Sequence, residues 1–218
     1  MRLQHLTPHV YYLPPDDLRD RPMLGYVAGE SWSLAIDGGF SPDQVQGFYK
    51  QLDQTGLRHP TLTALTHWHW DHTLGLPAVE GLVVANNKTQ KLLAEERQRL
   101  QDPDYEKRLR SWYVYVDREF PEVPIPTMRL PDIVFQQFLR LNLGGVTAEL
   151  YHVEAPHTPD STVIYIPEDK VLFLGDATLG SFENGVAMDS KAVKALQKFV
   201  DSKDYDWLLL GHEGAERG

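Results

Sequence analysis

A chain of 218 residues with 42% apolar and 11% aromatic content is long enough to bury one sizeable core, which excludes a disordered polymer. Lysine and arginine number 21 against 31 aspartates and glutamates, a formal net charge of −10, so the bulk field repels phosphate backbones and a nucleic-acid partner is disfavoured. Cysteine is absent, which excludes disulfides and thiolate metal sites; any metal must be held by carboxylates and by the 9 histidines.

The opening residues, MRLQHLTPHVYYLPP, lack the basic and apolar segments of a signal peptide, and no later apolar run approaches the roughly 20 residues a bilayer needs. A cytoplasmic protein without a membrane partner is therefore expected. Nothing repeats along the chain and no low-complexity linker divides it, so residues 1–218 read as a single domain.

Extended segments at His9 to Leu13, Met23 to Ala28 and Trp32 to Ile36 are separated by Pro14-Pro15, Gly29 and Gly38-Gly39. A helix follows, with Ser41 as N-cap, Pro42 in its first turn and Gly56 just past its end. A short strand at Thr61 to Leu65 leads into a histidine-rich loop, then a strand at Leu82 to Ala85. Next comes a helical excursion over residues 87–119, interrupted near Pro103.

Tyr105, Leu109, Trp112, Tyr113, Val116 and Phe120 fall on one stripe of that excursion, the spacing of a core-facing surface. Tyr115 lies off the stripe, toward solvent, a subunit or the mouth of a site, and the excursion is expected to lie beside the site and shape substrate choice. Ile133 to Leu143 and Thr147 to Val153 read as a hairpin about Gly144-Gly145. Two strands follow, Ser161 to Ile166 and Val171 to Leu174, joined by a turn over Pro167 to Lys170. Asp189 caps a helix through Val200, and Trp207 to Leu210 forms a last strand. Grouped strands with interspersed helices suit two packed sheets with helices outside, although periodicity alone leaves other α/β arrangements open.

The residues Thr66-His67-Trp68-His69-Trp70-Asp71-His72 carry the chemistry. In an extended segment, His67, His69 and Asp71 share one side, while Trp68 and Trp70 face the other and serve the core. His72 comes where the chain should turn, so it can join Asp71 on a second metal. Burying three imidazoles and a carboxylate together is costly unless a cation compensates. His157, Asp176 and His212 each stand where a predicted strand spills into a loop, and complete the candidate set. Five neutral imidazoles, two carboxylates and a hydroxide would leave two divalent ions with a charge of about +1, which favours a developing oxyanion. His5, His9, His59 and His152 have no such company and read as ordinary histidines.

With these residues the chain resembles the metallo-β-lactamase-fold hydrolase superfamily. His67-Trp68-His69-Trp70-Asp71-His72 is similar to its His-x-His-x-Asp-His motif. Glu154 to Ser161 resembles its third histidine segment, Leu172 to Asp176 its bridging-aspartate strand, Leu210-Gly211-His212 its final histidine, and Ala35 to Gly39 its early aspartate turn. The resemblance implies an αββα sandwich with the site along one edge of the sheets. It implies one ion on His67, His69 and His157, a second on Asp71, His72 and His212, and Asp176 bridging them. A water or hydroxide shared by the metals would be the nucleophile, Asp71 the catalytic carboxylate beside it, and Asp37 a residue that orients a ligand or the motif loop. Zinc is the first choice of cofactor, with iron or manganese as the other candidates.

The expected activity is hydrolysis of a small ester, thioester, lactone or amide, with a small-molecule substrate. The competing readings are an iron-dependent redox enzyme of the same fold, a phosphodiesterase or nuclease, and a non-catalytic binding module. Several β-lactamases have Cys where this chain has Asp176, which directs the reading toward thioester, lactone and general hydrolases. Pro156 and Asp160 stand where many relatives have Gly, so the loop around His157 should differ in shape. Few residues follow His212, so that edge is expected either to be completed by a partner subunit, with a homodimer as a candidate, or to be unusually open.

Overall fold

The computed structural model describes residues 1–121, 123–181 and 188–218. Short turns between apolar segments make the opening antiparallel. Gln4–His5 (β1), Val10–Leu13 (β2), Leu24–Ala28 (β3) and Ser33–Ile36 (β4) pair in sequence order. Three parallel strands then extend the sheet, Leu62–Ala64 (β5), Leu82–Asn86 (β6) and Ile133–Phe135 (β7). Parallel neighbours require crossovers, and helices supply them. The first is Pro42–Thr55 (α1), where Ser41 Oγ accepts the Gln44 N–H at 3.3 Å and Gly56 ends the helix at φ 76, a left-handed conformation that glycine adopts without strain. The resulting seven-stranded sheet runs β1 to β7 in order.

The second sheet has six strands: Phe138–Asn142 (β8), Thr147–His152 (β9), Thr162–Ile166 (β10), Val171–Gly175 (β11), Trp207–Leu210 (β12) and Gly214–Arg217 (β13). Its antiparallel order is broken once, where β11 and β12 run parallel across the helix Ser190–Asp201, here α6. Between the sheets, Val27, Leu34, Ile36, Ala64 and Val84 meet Leu150, Ile164, Ile166, Phe173 and Leu209 in one core. At Gly25 a Cβ would come within 2.5 Å of the Phe173 ring, so a side chain there would force the sheets apart. Phe48, Leu52, Trp68 and Leu93 pack a second core on the outer face of the first sheet, and Leu196 and Val200 of α6 cover the other sheet against Val163, Leu172 and Leu174. The layers are helix, sheet, sheet, helix.

Some expectations need correction. Ile133 to Leu143 is not one strand: β7 belongs to the first sheet and β8 to the second, so this segment is where the chain changes sheets. Local apolar content cannot show such a change, because both halves are extended. The residues after His212 do not leave the edge bare; β13 pairs antiparallel with β12 from Trp207↔Arg217 to Leu210↔Gly214.

The excursion is interrupted as expected between Asn87–Arg99 (α3) and Pro103–Trp112 (α4), and again at Tyr113 before Val114–Glu119 (α5). At Tyr113, φ −113 and ψ 87 leave the helical region, so one continuous stripe cannot run through 105–120. Leu109, Val116 and Phe120 are buried as the stripe requires, whereas Trp112 is 61% exposed. Tyr115, expected off the buried stripe, is half-buried and packs edge-on to Tyr113 at 5.8 Å.

Candidate metal centre

Strand β5 aims the histidine-rich segment at one edge of the sandwich, where the chain changes conformation. It stays extended through His69, whose ψ is 153°, and then coils into the single helical turn Trp70–Thr73 (α2). Alternation therefore holds only for His67 and His69. The turn swings Asp71 and His72 away together, so Asp71 does not group with the first two histidines.

Seven side chains converge in two groups. His67, His69 and His157 form one, and Asp71, His72, Asp176 and His212 the other, each with potential ligand atoms within 4.8 Å of one another. In the first, His157 Nε2 and His69 Nδ1 approach to 3.0 Å. In the second, His212 Nε2 lies 3.1 Å from Asp71 Oδ2 and 3.3 Å from Asp176 Oδ2, while His72 Nε2 lies 3.3 Å and 3.4 Å from the same oxygens. Asp176 Oδ2 is also 3.7 Å from His157 Nε2, which places this carboxylate between the groups.

These residues fit divalent cations. His67 Nε2, His72 Nε2 and Asp176 Oδ1 are buried without a hydrogen-bond partner among the described residues. Each such atom costs about 1–3 kcal/mol if left unsatisfied, and a cation satisfies them together. The donor set is nitrogen and oxygen without sulfur, suited to zinc, iron or manganese.

Outer contacts hold the rings. The His72 Nδ1–H donates to Asp37 Oδ2 at 2.8 Å, so Nε2 is the nitrogen turned toward the cluster as a potential ligand. Asp37 is itself fixed by the Thr66 backbone N–H at 2.7 Å and by the Thr66 hydroxyl, and sits at φ 67. Asp tolerates that left-handed conformation better than most residues. His157 Nδ1–H donates to Gly180 O at 3.0 Å, which likewise directs Nε2 inward. At Gly211 a Cβ would lie 2.0 Å from Asp176 Oδ1, so the residue before His212 must be glycine for the carboxylate to keep its place.

The electrostatics differ between the groups. Burial, with repulsion from neighbouring imidazoles, holds His67 and His157 below the ordinary histidine range and takes His69 down to about 3, so these rings are neutral donors. In the second group burial opposes charge, but the ion pairs win. Asp71 and Asp176 fall below the usual carboxylate range beside His72 and His212, while the same carboxylates raise His72 and push His212 up to about 10. Without a cation the second group retains protons on its histidines, and a metal must displace them.

A cavity of about 160 Å³ opens onto this centre, lined by His69, Trp70, Asp71, Trp112 and Tyr113. Trp70 is buried as expected of a core residue but also forms part of this wall. Its Nε1–H donates to Glu96 Oε1 at 2.9 Å, and the Tyr105 hydroxyl donates to the same oxygen at 2.6 Å. Trp112 stands edge-on to Trp70 at 5.6 Å. The sequence placed the excursion beside the site but assigned Trp112 and Tyr113 to the core; their aromatic character supplied a signal, and the break at Tyr113 changed its meaning. Glu96 and Asp20, which brace the wall, were missed because a lone acid on a polar stretch has no local signature.

A two-sheet sandwich with paired His/Asp groups at its edge and an apolar cavity over them defines a metal-dependent hydrolase scaffold. The family model described as the metallo-beta-lactamase superfamily matches residues 26–212, and the chain belongs to that superfamily. It is similar to the acyl-coenzyme A thioesterase MBLAC2 of Gallus gallus, 28% identical over an alignment that covers 91% of this chain and 76% of that protein. Among solved structures it is similar to a metallo-beta-lactamase from Pontibacter korlensis, with TM-score 0.69 and 19% identity over 99% of this chain and 93% of that one. It is also similar to BJP-1, a subclass B3 metallo-beta-lactamase of Bradyrhizobium japonicum, with TM-score 0.67 and 18% identity over 97% and 78%. These likenesses agree with the fold described above.

Proposed function

We propose that the protein is a dinuclear, zinc-dependent hydrolase that cleaves small acyl thioesters. One ion is assigned to His67, His69 and His157, the other to Asp71, His72 and His212, with Asp176 spanning both. The observation that carries this reading is the cavity itself: the metal-ligand groups open onto a wall of Trp70, Trp112 and Tyr113, with no cationic side chain lining it among the described residues. Such a wall suits an acyl group and offers nothing to hold a phosphodiester, which together with the net charge of −10 disfavours a nuclease. Likeness to a chicken acyl-coenzyme A thioesterase supports a thioester over a lactone or amide.

Divalent cations held there would supply Lewis acidity toward the carbonyl and lower the pKa of water. The remaining work belongs to the chain. Asp71, on the cavity wall and braced by His72 and His212, orients the attacking water, while the tryptophans seat the acyl group and exclude bulk solvent. Zinc-loaded protein should hydrolyse acetyl to hexanoyl thioesters in preference to matched amides, β-lactams and bis-p-nitrophenyl phosphate. Turnover of the phosphodiester without turnover of any thioester would overturn the reading.

A further inference from the structure

We propose that Asp20 is a positioning residue for His212, holding the outer face of that imidazole as Asp37 holds His72, and that Tyr113 ties this support to the substrate cavity. The inference rests on the dinuclear reading above, since His212 matters as a ligand of the second ion. His212 presents Nε2 to Asp71 and Asp176, and its other nitrogen, Nδ1, faces Asp20 Oδ1 at 3.5 Å. That contact is longer than the 2.8 Å bond between His72 and Asp37, and it puts a carboxylate on the side of the ring away from the cluster. His72 and His157 already have outer acceptors, in Asp37 and Gly180 O. Asp20 gives His212 the corresponding support, which raises the basicity of the inner nitrogen and fixes the ring's direction.

The loop bearing Asp20 is built to hold it there. Asp16 and Arg21 close the loop through backbone bonds of 2.9 and 3.1 Å, and Met23 N–H donates to Gly211 O at 2.7 Å, joining the loop's exit to the residue before His212. Arg21 bonds to the buried Glu119 of α5 through Nε at 2.8 Å, and Arg19 lies 3.7 Å from that carboxylate. Glu119 is also bonded by the Ser41 hydroxyl, so the loop is braced against α1 and α5 together. Asp20 itself has φ 55, a left-handed conformation that most side chains avoid. The Tyr113 hydroxyl donates to Asp20 Oδ2, and the Tyr113 ring lines the cavity. The cavity wall is thus connected to His212 through two side chains, Tyr113 and Asp20.

The left-handed backbone decides which variants are informative. Alanine would add strain to the loss of the carboxylate, whereas glycine and asparagine accept φ 55. Asp20→Gly removes the support, and Asp20→Asn keeps an acceptor without the charge. The experiment titrates chelator-stripped full-length protein with zinc against a competing chromophoric chelator, giving stoichiometry and stepwise affinities without reference to turnover.

Wild type should bind two zinc ions. Asp20→Gly should weaken one of them by 10- to 100-fold, in the range of losses seen when an outer partner of a metal ligand is removed, and leave the other unchanged. Asp20→Asn should recover part of the loss, and Tyr113→Phe should weaken the same ion by a smaller factor. Two ions in wild type with unaltered affinities in Asp20→Gly would overturn the role of Asp20. An equal loss at both ions would do the same, because a loop that only stabilises the fold has no preference between them. A single ion in wild type would overturn the dinuclear reading and this inference with it. Should Asp20→Gly fail to fold, Asp20→Asn decides between the same outcomes, with a selective loss expected and an unaltered pair of affinities contradicting it.

Discussion

Trp112 offers a test of how the cavity selects its substrate. The residue is 61% exposed, and it lines both the cavity over the metal centre, about 160 Å³, and a neighbouring one of about 150 Å³ bounded by Tyr105, Arg108 and Leu109. It is the partition between them. A 150 Å³ apolar cavity holds a benzene-sized group, so the first cavity should be filled by an acyl group of about six carbons.

Each methylene that enters contributes about 0.8 kcal/mol, or roughly fourfold in kcat/KM, until the cavity is full. For wild type, kcat/KM across a saturated acyl thioester series should rise to about six carbons and then level off. In Trp112→Ala the two cavities join, and the rise should continue past that point. The stability cost should be modest. About two fifths of a side chain of roughly 250 Å² is buried, which at ~25 cal/mol/Å² gives at most ~2.5 kcal/mol, against the ~3–5 kcal/mol of a fully buried aromatic. Stopped assays with C2 to C16 thioesters, alongside urea denaturation, measure both. The same chain-length break in wild type and variant would refute the partition, and a loss above ~4 kcal/mol would refute the exposed placement.

Asp160 is buried and, among the described residues, neither of its oxygens has a hydrogen-bond partner of normal geometry; burial, softened by nearby Thr89 and Thr158, raises its carboxyl to about 6. A carboxyl raised on folding makes the native state bind more protons than the unfolded chain between pH ~4 and ~6, so stability falls as pH rises through that window and is level above it. Asp160→Asn should therefore stabilise chelator-treated protein at pH 7 by up to ~3 kcal/mol, with the gain vanishing below pH ~4; a gain independent of pH in urea titrations would contradict this. Glu119→Gln should cost about 3 kcal/mol, the low end for breaking a buried ion pair, because Arg21 keeps Asp43 at 2.7 Å; an unchanged midpoint would show that the brace carries no load. Asp37→Gly, which accepts the left-handed backbone at φ 67, removes the acceptor of the His72 Nδ1–H and should weaken metal binding by 10- to 100-fold, as read by chelator competition, whereas unchanged affinity would leave His72 oriented by packing alone.

Much of this was legible in the chain because the informative residues sit close together or beside strong punctuation. The His67 to His72 segment announces itself, and strands ending before His157, Asp176 and His212 were readable from apolar runs bounded by turns. The N-cap Ser41 and terminal Gly56 fixed α1. What escaped depends on distance or on a single torsion. The switch of sheets between β7 and β8 lies inside one extended segment, and the break at Tyr113 turns Trp112 from an expected core residue into a cavity wall. Asp20 meets Tyr113 and His212 across 93 residues and more of sequence, so no spacing rule reaches it.

The central claim is that this edge of the sandwich holds two metal ions sharing Asp176. Anomalous diffraction at the zinc edge, from crystals of zinc-loaded protein, tests it most directly. Two peaks per chain are predicted, about 3.5–4 Å apart. One should lie among His67, His69 and His157 and the other among Asp71, His72 and His212, with the Asp176 carboxylate between them. A single peak, or a second peak away from these residues, would contradict the account.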